Sequence, residues 1–183
     1  MDDRLAAIES AIDCAVRAGA LVPHRVALEQ GELSQRSLWL RPEVNDLLGA
    51  NRLEAEQRER VKAALKRFVV GRGFTVVKAD SPHREVLRLG DIRELKGPPP
   101  PFVELRFKPP KHDLRLFGRF IRKDGLILTG LGMKSREGKT TGMKPLSIPE
   151  QRQRCGSFFE SQGLKLEWVP HRIEDSLSNV TFA

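Results

Sequence analysis

The chain has 183 residues, 39% of them hydrophobic and 31% charged, with a formal net charge of +8, a balance typical of globular chains and outside the disordered class. No apolar run approaches the roughly 20 residues that span a bilayer, and the start, Met1-Asp2-Asp3-Arg4, is acidic where a secretory leader is basic; a cytoplasmic protein with one core is expected. The two cysteines, Cys14 and Cys155, are far apart in the chain, which argues against a disulfide framework or a cysteine-based zinc site.

Leu5, Ile8, Ile12, Ala15 and Val16 recur at three- and four-residue intervals, predicting an amphipathic helix over residues 3–18 that Gly19 ends. Pro23 suits a first helical turn, so residues 22–30 read as a short second helix stopping before Gly31. Residues 37–41 read as a short strand around Trp39, and Pro42 then opens a helical turn through Leu48. Over residues 54–70, Val61, Ala64, Leu65 and Phe68 define the apolar side of a clear helix, and Gly71 stops it.

Residues 74–97 are mixed, with short strands expected at 74–77 and 86–89. Pro98 to Pro101 can only be extended, since each ring fixes φ and removes a backbone donor; they read as a stiff lead-in to a strand. Three strands are then predicted, at 102–107, 113–123 and 126–133, the last two joined by the hairpin signal Asp124-Gly125. Alternation along the middle strand puts Leu114, Leu116, Gly118 and Phe120 on one face and Arg115, Phe117, Arg119 and Ile121 on the other. After a Gly- and Lys-rich loop over 134–144, Pro149 opens a helix that runs through Gln162 to Gly163. The last twenty residues hold one short strand at 164–169 and otherwise read as a tail.

Between Arg93 and Lys144, thirteen Lys or Arg stand against five Asp or Glu, an excess equal to the net charge of the whole chain. The remainder is electrically balanced, so a polyanion is expected to meet the strand-rich second half.

Four stretches in order carry a family resemblance: Ile92-Arg93-Glu94-Leu95-Lys96-Gly97, Val103-Glu104-Leu105-Arg106-Phe107, Leu114-Arg115-Leu116-Phe117, and residues 126–134 ending in Met133-Lys134. In this succession residues 91–162 resemble the RelE/HigB-like toxin superfamily, including its phage-derived HigB-related group. With the strand near Trp39 and the two helices after it as a β-α-α opening, the resemblance spans residues 36–163. It implies an α+β fold, a twisted antiparallel sheet flanked by two helices, with residues 1–35 as an N-terminal helical extension, then a C-terminal helix, and 164–183 as a C-terminal tail.

The resemblance further implies a metal-independent endoribonuclease without cofactor, acting on mRNA at the ribosome and neutralised by a cognate antitoxin of helix-turn-helix type. Such chemistry needs a base to deprotonate a ribose 2′-hydroxyl and cations to stabilise the phosphorane. Arg115 matches the family's middle-strand arginine and would stabilise the phosphate; Lys134 and Arg136 match the basic residues after the last strand and would clamp it. His112 is the local acid or base, because imidazole titrates near neutrality, with a solvated turn histidine as the plainer reading. Arg106, Lys108, Lys111, Arg119, Lys139 and Lys144 are the expected RNA contacts.

The chain has no tyrosine, where many of those toxins use one near the active site, and residues 1–35 are additional. These departures support an alternative: a non-catalytic binding or assembly protein, a toxin relic or phage-encoded component, whose basic sheet meets nucleic acid or the subunits of a larger assembly. Gly138-Lys139-Thr140 resembles part of a phosphate-binding loop, but Met133 stands where that motif needs glycine, and Gly142 and Pro145 disrupt the helix that should follow. His24, His83, His112 and His171 lack metal-ligand spacing, so no metal is expected.

Overall fold

The computed structural model describes residues 3–49, 53–72, 75–78, 92–95, 97, 101–107, 112–135, 147–178 and 180–182, without the side chains of 112, 113, 133–135, 166, 181 and 182. Its centre is the hairpin of β6 (His112–Arg122) and β7 (Gly125–Ser135). Asp124 turns the chain in the left-handed region at φ 57°, which the short side chain of Asp tolerates. Two register shifts interrupt the ladder, one between Phe117 and Gly118, and bulges of this kind bend and twist a sheet.

At the first shift the strands run so close that a Cβ on Gly118 would fall 2.1 Å from the Ile127 carbonyl oxygen. Backbone cannot yield there as a flexible side chain would, so Gly118→Ala is expected to cost on the order of 1–3 kcal/mol. A lowered urea midpoint would show it.

Around the hairpin lie α1 (Asp3–Arg17), β1 (Val22–Pro23), β2 (Ser37–Leu40), α2 (Pro42–Gly49), α3 (Ala55–Val69), β3 (Thr75–Val77), β4 (Ile92–Leu95), β5 (Phe102–Phe107), α4 (Ile148–Ser161) and β8 (Thr181–Phe182). The fold is α+β, and the strands form one eight-stranded sheet in the order β1-β2-β7-β6-β5-β4-β3-β8. Its centre, β4 to β7, is antiparallel as expected. The flanks correct the purely antiparallel expectation, since β2 runs parallel to β7, and β3 parallel to both β4 and β8. Parallel neighbours require a long crossover, and α2 and α3 are part of the one that follows β2.

The alternation read along β6 separates two cores, and each face is covered by helices. Leu114, Leu116 and Phe120 join Val44, Leu47 and Leu48 of α2 and Val61, Leu65 and Phe68 of α3. On the opposite face Phe117 and Ile121 join Ile8, Ile12 and Ala15 of α1 and Cys155, Phe158 and Phe159 of α4. The two helices expected to flank the sheet, α2 and α3, thus lie on one face, and the expected N-terminal and C-terminal helices, α1 and α4, lie on the other. Burying a side chain such as Phe68, with no exposed surface, contributes about 1.5–3 kcal/mol.

Several local expectations need correction. Residues 22–30 are not helical: Val22 and Pro23 pair with Leu40 and Trp39 as an edge strand, a position where a residue without a backbone donor is tolerated. Residues 164–169 form no strand but a 3-10 turn at Leu166–Trp168. The strand expected at 86–89 lies outside the described residues.

The C-terminal segment is also more than a tail. Ile173 and Leu177 are buried in the core shared with α2 and α3. The Asp124 carboxylate accepts hydrogen bonds from the Ser178 amide at 2.9 Å and from the Ser178 hydroxyl, and pairs with Arg36 at 3.3 Å. The Asp124 amide donates to the Ser176 carbonyl, and the Asp124 carbonyl accepts from the Ser37 amide. One turn residue thus ties the start of β2 and the C-terminal segment to the central hairpin.

Candidate nucleic-acid interface

On β5, Phe102, Glu104 and Arg106 alternate with Val103, Leu105 and Phe107, which face the α2–α3 core. Register then brings Arg93 of β4 beside Glu104, and Arg115 of β6 beside Arg106. The result is a carboxylate enclosed by three guanidiniums. Glu104 Oε1 lies 3.0 Å from Arg106 Nε and 3.4 Å from Arg93 Nη1, and Oε2 lies 3.5 Å from Arg115 Nη1. The Glu104 side chain has no exposed surface, whereas those of Arg93, Arg106 and Arg115 keep 19%, 15% and 19% of theirs.

That difference defines what the cluster can do. The Glu104 carboxylate is sealed inside, while part of each of the three arginine side chains reaches the surface. The guanidinium plane presents several donors in a fixed fork, which suits phosphate oxygens.

The rest of this sheet face is not open. α4 crosses it, placing the Gln151 amide against the Leu131 carbonyl at 2.9 Å and Arg152 over the Phe102 ring, and α1 covers Ile121 and Ile127. Ser147 fixes where α4 begins, because its hydroxyl caps the Glu150 amide while the Glu150 carboxylate accepts from the Ser147 amide. The partly open region is therefore the Arg93–Arg106–Arg115 end.

Of the residues expected to act on RNA, Arg106 and Arg115 meet here. Lys134 belongs to β7 with its Cα opposite Asp113, and His112 opens β6 with its Cα opposite Ser135, so both backbones lie at the same end of the hairpin as Arg115. Arg119, expected as a surface contact, is instead 5% exposed. Lys108, Lys111, Arg136, Lys139 and Lys144 lie outside the described residues.

Sequence reading did not single out Arg93 or Glu104 as parts of the site. The alternation that groups Glu104 with Arg106 was available, but the register that brings Arg93 to them was not. Among the described residues no three His, Cys, Asp or Glu side chains gather as metal ligands, and no helix is long and apolar enough to cross a membrane.

The sheet and its cluster define an α+β protein with an arginine-rich face. Comparison with protein-family models, curated proteins and solved structures finds no match to this chain.

Proposed function

We propose that this chain binds the phosphate backbone of RNA on the surface formed by Arg93, Arg106 and Arg115. The observation that carries this reading is the sealed Glu104 with three partly exposed guanidiniums around it. The carboxylate orders the three guanidiniums while part of each arginine side chain stays at the surface. Phosphate contacts of this kind position a strand and do not read its sequence.

Fluorescence anisotropy with single-stranded RNA tests the reading. Arg115→Gln is expected to weaken binding evenly across sequences and to reduce the salt slope by about 1. Unchanged affinity and slope in both Arg115→Gln and Arg106→Gln would discard the surface as the RNA seat.

A second reading, mRNA cleavage in the manner of a RelE/HigB-like toxin held in check by an antitoxin, draws support from the backbones of Arg115 and Lys134 lying at one end of the hairpin, although strand alternation puts position 112 on the opposite face from Arg115. Under it, expression of the intact chain without an antitoxin arrests growth and Arg115→Ala relieves the arrest. Harmless overexpression favours the binding or assembly role.

A further inference from the structure

β1 ends at Pro23, which lies opposite Trp39, and the next amide, that of His24, donates to the Leu38 carbonyl at 2.8 Å. So fixed, His24 and Arg25 face α2 and α3 across a cleft of about 530 Å³, within the roughly 300–1,000 Å³ of small-molecule sites. Asn45 and Leu48 line it from α2, and Arg58 and Lys62 from α3, because residues three or four apart share one helix face. A Cβ on Gly49 would meet nothing within 4 Å, so the end of α2 leaves the cleft open.

We infer that this cleft is a binding site for a nucleoside monophosphate. Its cations are Arg25, Arg58 and Lys62, against the single carboxylate of Glu59. Glu59 pairs with Lys62 at 3.2 Å, an exposed contact of the kind that holds its partners weakly. Arg25 is exposed, and among the described residues no carboxylate pairs with it. The surplus of positive charge selects an anion, and the guanidinium fork suits phosphate oxygens.

The remaining lining selects what carries the phosphate. Asn45 and His24 are half-buried, and among the described residues neither side chain spends its hydrogen-bonding capacity. Burial holds the His24 imidazole below its ordinary pKa, so near pH 7 it is neutral and offers one donor and one acceptor. The Asn45 amide offers donors and an acceptor side by side, the pattern that pairs with the edge of a nucleobase. Pro23 supplies an apolar wall. A bare phosphate would use none of these groups. The cleft is also separate from the RNA surface: Leu48 belongs to the core on the α2–α3 face, whereas Phe102, on the Glu104 side of β5, belongs to the opposite one.

Isothermal titration of the full chain at constant ionic strength tests the assignment, with 5′-AMP, 5′-GMP, 5′-CMP and 5′-UMP each as ligand. At least one is expected to bind saturably, one per chain, and at least about tenfold more tightly than its own nucleoside or inorganic phosphate. Arg25→Gln, at an exposed position that the core does not need, is expected to weaken that binding about 10- to 100-fold. Arg115→Gln leaves it unchanged.

Absence of saturable binding for all four nucleotides, or unchanged affinity in Arg25→Gln, overturns the inference. Equal affinity for inorganic phosphate or for the nucleoside overturns the ligand class. A loss in Arg115→Gln but not in Arg25→Gln moves the nucleotide to the RNA surface, which overturns the cleft and leaves the proposed function standing.

Discussion

Glu104→Ala is expected to destabilise the fold by about 3–5 kcal/mol, the usual cost of removing one partner from a buried ion pair, measured as a fall in the urea midpoint. The loss falls at the upper end of that range because the carboxylate serves Arg93, Arg106 and Arg115 together. Without it, three like charges face one another across adjacent strands. Glu104→Gln keeps the volume and one acceptor but not the charge, so it falls between wild type and alanine. Replacing all four residues by methionine removes the charges with their partner, and swaps of that kind are often neutral or stabilising. The quadruple variant is therefore expected to recover most of the lost stability and to lose RNA binding. That separation of stability from binding distinguishes a functional cluster from a structural one.

The elements legible in the sequence are those whose periodicity one face of the fold satisfies. The stripe of Ile8, Ile12 and Ala15, the stripe of Val61, Ala64, Leu65 and Phe68, and the Asp124-Gly125 turn all name structures that are present. The alternation along β6 likewise separates the two cores. What escaped was decided at a distance. Pro23 fits a first helical turn as well as an edge strand, and pairing with Trp39 settles which. Ile173 and Leu177 sit among polar residues and are drawn into the core by the grip of Asp124 on Ser178. The parallel placement of β2 beside β7 has no local signature, because it depends on where the crossover lands.

The candidate site divides in the same way. Positive charge concentrated after Arg93 is a property of composition, visible without coordinates. Which arginines share a patch is a property of register. Arg106 and Arg115 meet because Arg106 pairs with Arg115 across β5 and β6, whereas Arg119, four residues further along β6, passes under α4 and leaves the surface. Simple alternation assigns Arg115 and Arg119 to one face without revealing that a helix covers only part of it.

RNA affinity is expected to fall about 10³- to 10⁵-fold between roughly 50 and 200 mM salt if six to ten phosphates are neutralised. Arg93, Arg106 and Arg115 supply three cations of the described structure. The other nominated residues, Lys108, Lys111, Lys134, Arg136, Lys139 and Lys144, belong to the same basic segment of the chain and would bring the number into that range. The slope therefore counts how much of the basic segment joins the interface. A slope matching three contacts confines binding to the Glu104 cluster, and a steeper one recruits the lysine-rich residues on either side. Because released counterions rather than hydrogen bonds dominate such binding, the salt effect should persist when the RNA sequence is scrambled. Affinity indifferent to salt means that phosphates are not what the arginines hold.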